Sequence, residues 1–238
     1  MIAFYPLQLE SPVLSRQIPW ANWLLVVLNV TLFVVFMCFG GQWVCGRGAN
    51  PLAIVLYGFS HAGFWHLAFN MWTLLVFGDA VNRRIGNAYY LLAYLGTQVA
   101  LGLFAWFVIP LGVIGASGAI FAVIGMALLL LPSARLHVGC LAIFPFTILL
   151  ALFRRPEQPW QWAIRWTDFR VSMLWGLLFV PFLEIWGLLW SGWNWTNLGH
   201  LLGLVAGVVC VLLLPQRISM RRPATIRFPR GCRGAGPP

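Results

Sequence analysis

"GVIGASGAIFAVIG", residues 112–125, contains one hydroxyl, that of Ser117, in a run made otherwise of glycine and apolar residues. The apolar run continues to Leu131 and is followed by Pro132, so the sequence predicts a helix that begins at the serine and ends before the proline. A helix over 117–131 is about 22 Å long, whereas the hydrocarbon core of a bilayer is about 30 Å thick. In a membrane, the serine end of this helix is therefore expected several ångströms below the outer surface.

The composition of the whole chain places it in a membrane. Hydrophobic residues make up 61% of the 238 residues and charged residues 8%, which is more apolar surface than a soluble core of this size can bury. No short apolar stretch with a small-residue cleavage motif precedes the first long apolar run, so we expect no cleaved signal peptide. The five cysteines are scattered without CxxC spacing, and we expect no disulfide framework.

Six apolar runs, uncharged except for Glu184 in the fifth, approach the length of about 20 residues that crosses a bilayer. They cover residues 21–39, 63–77, 88–110, 117–131, 171–190 and 198–214. The sequence thus predicts an all-α integral membrane protein: an N-terminal segment over 1–20, a six-helix bundle over 21–214 and a basic, disordered tail over 215–238. With the N-terminus inside, 14 of the 15 arginines fall on the cytoplasmic side, so both termini are expected there.

Two segments near clusters of arginine, residues 137–153 and the tail over 215–238, need separate interpretations. Residues 137–153 form an apolar run nearly long enough to span, but Pro145 interrupts it, and counting it as a span would place the tail outside. We therefore predict an interfacial or re-entrant helix on the inner face. The tail contains six arginines and no acid. We interpret it as a signal that keeps the C-terminus on the cytoplasmic side, and on this interpretation we expect no nucleic-acid partner. The alternative is that the tail binds anionic lipid or nucleic acid.

A histidine in the last apolar run is a candidate partner for Ser117. His200 lies in "NLGHLLGLVAG", near the predicted outer end of that run. Small residues share one helical face with each side chain and favour close packing of the two helices: Gly203 and Gly207 beside the histidine, Gly118 and Gly125 beside the serine. Each polar residue alone has a simpler interpretation, the serine as a helix cap and the histidine as a packed side chain. Together they form the pair that a nucleophile and its base require.

Two further polar side chains lie at the same predicted outer end. His66 and Asn70, in "HAGFWHLAFN", are four residues apart and therefore share one face of the second apolar run. With the backbone N–H of Ser117, they could donate hydrogen bonds to an oxyanion. His61, five residues before His66, is expected in the entering loop in a structural role.

The ionisable residues of the chain exclude several classes of catalytic site. The chain has no lysine, which excludes a Ser–Lys dyad, and no HExxH motif for a metalloprotease. Glu184 falls near the middle of the fifth run, and the other four acids map to the inner side: Glu10, Asp79, Glu157 and Asp168. We therefore expect no carboxylate beside the histidine and disfavour a Ser–His–Asp triad. A Ser–His dyad remains.

Taken together, the motifs resemble those of the rhomboid intramembrane serine proteases over about residues 20–214. In family order they are "HAGFWHLAFN" (HxxxxHxxxN), "FGDAVNRRIG" after the second run, "GASGAIFAVIG" (GxSG) and "GHLLGLVAG" (HxxGxxxG). The resemblance implies Ser117 as nucleophile, His200 as general base and later acid, and an oxyanion hole formed by His66, Asn70 and the Ser117 N–H. Gly115 is expected to let the backbone turn into the helix.

Three positions bear on how closely the chain follows this family. Phe121 stands where the family often has a tyrosine that stacks on the catalytic histidine. Asn82 replaces a common glutamate, and Glu184 stands where glutamine is frequent.

The resemblance implies hydrolysis of a peptide bond in or near the transmembrane segment of membrane proteins, through an acyl-enzyme and without cofactor or metal. The expected partners are transmembrane protein substrates and the lipid bilayer, and the expected location is a bacterial inner or plasma membrane.

Two other classes of function stay open at this point. A catalytically silent relative could bind transmembrane helices, although such relatives usually lack the serine or the histidine. A channel or transporter would also place polar groups at membrane depth, but the paired charges and repeated discontinuous helices typical of transporters are absent from the sequence.

Overall fold

The computed structural model describes residues 2–11, 17–110, 112–143, 164–190 and 194–215. The helices in these ranges are α1 (Trp20–Phe39), α2 (Ala53–Leu56), α3 (Phe64–Thr73), α4 (Asp79–Ile85), α5 (Asn87–Val108), α6 (Ser117–Leu130), α7 (Met173–Trp190) and α8 (Trp195–Leu212). A 3₁₀ turn over Tyr57–Phe59 follows α2. A π-helical turn over Leu74–Gly78 joins α3 to α4, so the helical path is unbroken from Phe64 to Ile85.

Every predicted apolar run contains a helix, and the protein is mostly helical. Among the described residues, α1, α5, α7 and α8 are each long and apolar enough to cross a membrane. The fourth run forms α6, which has only 14 residues, as the position of Pro132 predicted. The total of six spans and the side on which the termini lie stay predictions.

A three-stranded antiparallel sheet makes the predicted all-α class wrong. Its strands are β1 (Ile2–Glu10), β2 (Arg135–Ile143) and β3 (Ile164–Ser172), with β2 in the centre. The helix predicted over 137–153 is therefore wrong over 137–143, and residues 144–153 lie outside the described residues. An apolar run without clear periodicity does not distinguish a helix from a buried strand. Here the strand forms because β1 and β3 supply backbone partners along both of its edges.

The sheet joins the helices at the end of α6 opposite Ser117, which we call the sheet end. Leu9 of β1, Ala134 before β2 and Met173 at the start of α7 belong to the same buried core as the helices. The backbone N–H of Met173 donates to the carbonyl of Ala134 at 3.0 Å. Because β3 ends at Ser172 and α7 begins at the next residue, strand and helix are directly continuous.

Helix α6 forms the centre of the bundle. Nine of its 14 residues are buried, and the seven from 122 to 128 are consecutive, so the helix is covered on every side. This all-round burial explains why its sequence is apolar throughout. The neighbouring α8 approaches it so closely that a methyl group on Gly203 would collide with the carbonyl of Gly118, and one on Gly207 with the carbonyl of Ala122. Glycines thus permit this helix contact.

A buried polar network ties α1 to α4 and α5. Asn22 donates to Asp79 at 2.7 Å and accepts from the hydroxyl of Tyr90. The Oδ1 atom of Asn82 accepts from the backbone N–H of Asn22 at 3.0 Å, and its amide donates to Asn87 at 2.9 Å. Asn82, at the position where the resemblance predicts glutamate, takes part in this network through both its oxygen and its amide nitrogen.

Candidate active site

Ser117 is the first residue of α6, and the chain bends sharply to reach it. Gly115, two residues earlier, has a φ of 110°, a conformation that residues with a side chain rarely adopt. As the first helical residue, Ser117 has a backbone N–H with no partner within the helix, where the helix dipole favours negative charge. The serine side chain is half-buried and lines a cavity of about 370 Å³.

His200 lines the same cavity from the first turns of α8. The carbonyl of Gly199 lies 3.9 Å from where a methyl group on Gly118 would stand, so the backbones of the two helices nearly touch beside the serine. The histidine ring stacks on Phe121, with the ring centroids 4.0 Å apart and the planes 5° from parallel. The structure therefore brings together the serine, the histidine and the phenylalanine that the sequence singled out.

Glu184 contradicts the expectation that no carboxylate stands beside the histidine. Its Oε2 atom lies 3.1 Å from Nδ1 of His200 and accepts from the amide of Asn197 at 2.7 Å. The expectation was wrong because α7 packs against α8 with residue 184 on the contact face, level with the histidine. The sequence carried one signal for this contact, since an acid in an apolar membrane run requires a polar partner.

His66 and Asn70 face Gly115 from α3. A methyl group on Gly115 would lie 2.9 Å from Nε2 of His66 and 3.7 Å from Nδ2 of Asn70. The Nδ1 atom of His66 accepts from the backbone N–H of Ala62 at 3.4 Å, which leaves its Nε2 as the N–H donor. Among the described residues, the buried Nδ2 of Asn70 has no hydrogen-bond partner. Both side chains line the cavity, so two donors converge beside Ser117.

His61 lies behind His66 rather than on the cavity. Its ring packs edge-on against His66, with centroids 5.2 Å apart, and its side chain is buried. Burial and the neighbouring His66 lower the pKa of His61 from its ordinary value of 6.5 to about 4. Its position fits the predicted structural role, and that role stays a prediction.

Sequence reasoning missed two residues that shape the cavity, Tyr57 and Trp195. Tyr57 lines it, and its hydroxyl donates to the carbonyl of Gln98 at 3.0 Å. Trp195 and Thr196 line it from the start of α8. The side chain of Asn194 accepts from the backbone N–H of Thr196 at 2.9 Å and caps α8.

Fold and site together define a class: a multi-pass membrane protein with a cavity among its helices, at the end away from the sheet, that is lined by apolar residues and a few polar side chains. The cavity is lined by a serine, two histidines and an asparagine, which are residue types that acyl transfer can use. The model of the Rhomboid domain family matches residues 49–217. The chain belongs to the rhomboid family.

Individual relatives agree with the family assignment. Rhomboid protein 1, mitochondrial, from Saccharomyces cerevisiae is 30% identical over 137 residues, which is 53% of this chain and 36% of the relative. Putative rhomboid protease YdcA from Bacillus subtilis is 40% identical over 70 residues, 29% of this chain and 35% of the relative. Rhomboid protease GluP from the same organism is 29% identical over 139 residues, 53% of this chain and 27% of the relative. The chain thus matches about a third of these relatives' lengths.

Proposed function

We propose that the protein is an intramembrane serine endopeptidase. It hydrolyses a peptide bond in or near the transmembrane segment of membrane proteins by a Ser117–His200 dyad and an acyl-enzyme. The observation that carries the proposal is the position of Ser117, His200, His66 and Asn70 around one cavity at the start of α6. Two relatives whose names call them rhomboid proteases lend further support.

In the proposed reaction, His200 removes the proton from the Ser117 hydroxyl as its oxygen attacks the substrate carbonyl. The negative charge that develops on the carbonyl oxygen is stabilised by Nε2–H of His66, Nδ2–H of Asn70 and the Ser117 backbone N–H. His200 then gives its proton to the departing amine, which leaves an ester on Ser117. A water molecule, deprotonated by His200, hydrolyses that ester and restores the serine.

The substrate must present an extended carbonyl to the cavity, because a peptide bond within a helix has its carbonyl occupied by a hydrogen bond. We therefore expect single-pass substrates with helix-breaking residues near a small residue at the cut. The expected bacterial inner or plasma membrane stays a prediction, since the relatives include mitochondrial and chloroplastic proteins.

The test combines a fluorophosphonate serine probe with cleavage of a model transmembrane substrate by purified protein in proteoliposomes. We expect wild type to cleave the substrate and to be labelled, and Ser117→Ala and His200→Ala to do neither. Ser172→Ala is the matched control, because Ser172 lies at the sheet end, where its hydroxyl accepts from the backbone N–H of Leu174. This control should match wild type in both assays.

Cleavage by Ser117→Ala at the wild-type rate would contradict the proposal. So would a wild type that neither cleaves nor is labelled while still binding transmembrane helices. That second result would favour the alternative, a catalytically silent rhomboid-like protein that binds transmembrane segments.

A further inference from the structure

We propose that Glu184 is a positioning residue that extends the Ser117–His200 pair to a Ser–His–Glu triad. The inference rests on the proposed function and adds a third member to its site. It is carried by the contact of 3.1 Å between Oε2 of Glu184 and Nδ1 of His200. Nδ1 is the ring nitrogen that a third member must hold if Nε2 is to face the serine.

The triad assigns a direction to this contact. Oε2 of Glu184 also accepts from Nδ2 of Asn197 at 2.7 Å, as a carboxylate oxygen can. With Glu184 ionised, Nδ1 of His200 is the donor, and the lone pair of the neutral ring is then on Nε2. Nε2 is buried and has no hydrogen-bond partner among the described residues. The carboxylate thus leaves a free acceptor nitrogen in the cavity that Ser117 lines.

Two contacts hold the histidine ring in place. Phe121 stacks on one face of the ring and sets its plane, while Glu184 holds its Nδ1 edge and sets its rotation within that plane. The side chains of His200 and Glu184 are only 16% and 13% exposed, so water screens their interaction weakly. When the histidine takes the serine proton, its positive charge forms beside the carboxylate and is stabilised there.

A merely structural role for Glu184 predicts something different. The carboxylate also connects α7 to Asn197 of α8, and loss of that connection alone would lower stability or weaken substrate binding. Loss of the positioning role would instead lower kcat, because the base would no longer be oriented for proton transfer. The ratio of the effects on kcat and KM therefore separates the two roles.

The experiment compares wild type, Glu184→Gln and Glu184→Leu in proteoliposomes. We measure kcat and KM on a model transmembrane substrate, the rate of fluorophosphonate labelling, and thermal unfolding. Glu184→Leu removes the acceptor and should lower kcat by about 100-fold with KM changed less than about twofold. Glu184→Gln keeps an acceptor oxygen without the charge and should be intermediate, with kcat about tenfold below wild type. Labelling rates should fall in the same order.

Glu10→Gln is the matched control. The Glu10 carboxylate also pairs with a histidine, His137, at 3.0 Å, but it does so in the sheet at the far end of α6. The same chemical change there should leave kcat and labelling at wild-type values.

Two results would overturn the inference. One is a kcat within threefold of wild type in both Glu184 variants while Ser117→Ala is inactive, which would leave the proposed function standing. The other is an unchanged kcat in Glu184→Gln with a large rise in KM, which would assign Glu184 to substrate binding. If Glu184→Leu fails to fold, the near-isosteric Glu184→Gln decides between these results. A wild type without Ser117-dependent cleavage would instead refute the proposed function, and the triad with it.

Discussion

Glu184 and His200 lie on neighbouring helices, α7 and α8, and their Oε2 and Nδ1 atoms are 3.1 Å apart. The candidate site is thus assembled from separate parts of the chain: α3 supplies the donors, α6 the serine, and α7 and α8 the carboxylate and the histidine. Each contribution can therefore be altered by substitution without removing the others.

Gly115→Ala should disable the site more than it destabilises the fold. The new methyl group would lie 2.7 Å from Cε1 and 2.9 Å from Nε2 of His66, which would displace that donor. We expect kcat to fall about 100-fold, the typical cost of losing one oxyanion donor. The measurement is kcat on a transmembrane substrate together with thermal unfolding.

Gly48→Ala is the control for Gly115→Ala. Gly48 also has a positive φ, 79°, but nothing lies within 4 Å of where its methyl group would stand. The Gly48→Ala protein should lose about 1–2 kcal/mol of stability because of backbone strain, and its kcat should equal that of wild type. Equal kcat values for the two variants would argue against the role assigned to His66.

Gly207→Ala should separate α6 from α8. Its methyl group would collide with the backbone carbonyl of Ala122, which cannot move without distorting the central helix. We expect a loss of about 1–3 kcal/mol in the free energy of unfolding, as for other overpacked cores. Reversible unfolding in mixed micelles would measure it.

Gly96→Ala provides the comparison for Gly207→Ala, because nothing lies within 4 Å of a methyl group at this position in α5. Alanine favours a helix interior over glycine by about 0.5–1 kcal/mol, so this variant should be unchanged or slightly more stable. A Gly207→Ala protein as stable as Gly96→Ala would refute the close helix contact.

Phe121→Ala should lower kcat without changing the cleavage site. Loss of the parallel stack, 4.0 Å from the His200 ring, frees that ring to tilt. Stacked aromatic pairs contribute about 0.5–1.5 kcal/mol. If this energy is lost from the transition state, kcat should fall by roughly 2- to 12-fold. Phe121→Tyr keeps the ring and should retain most of the activity. If Phe121→Ala and Phe121→Tyr lose activity equally, stacking is not what the position supplies.

His61 should make stability fall as the pH decreases from about 6.5 towards 4. The pKa of His61 is about 4 in the folded protein against an ordinary 6.5, so between these values the unfolded chain binds a proton that the folded chain does not. The loss should approach about 3 kcal/mol at the lower limit. It is measured by thermal unfolding between pH 7.5 and 4.5, where His61→Gln should show a flatter dependence.

Gly48→Ala is the control for that pH series, because it removes no titratable group. It should keep the wild-type slope. A wild-type slope in His61→Gln would show that another group causes the acid sensitivity.

Local patterns sufficed to predict the helical parts of this fold. The apolar runs locate the helices, and Pro132 correctly limits the length of α6. Ser117 begins its helix as expected, and the glycines at 118, 203 and 207 lie at the predicted contact between α6 and α8. These features depend on neighbours within a few residues or on repeats along one helix, so the sequence displays them directly.

The features that were missed depend on contacts between distant segments. Strand β2 pairs with β1, in which Glu10 is the partner of Arg135, and no local pattern joins positions so far apart. Glu184 was identified as the acid of the fifth run, but which way it faces depends on how α7 rotates against α8. That rotation is fixed by tertiary packing rather than by periodicity, and only the general need of a membrane carboxylate for a partner pointed to it.

Helix α7 is anchored at Met173 and contacts α8 through Glu184, but most of its length is exposed. Met173 is buried, and its backbone N–H is hydrogen-bonded to the carbonyl of Ala134, whereas only 6% of the residues of α7 are buried inside the protein. Glu184 lies about 16 Å along the helix from Met173. A tilt of about 10° about Met173 would therefore move the carboxylate by about 3 Å, which is roughly the length of its hydrogen bond. The inclination of one membrane helix would then decide whether the histidine keeps its acidic neighbour.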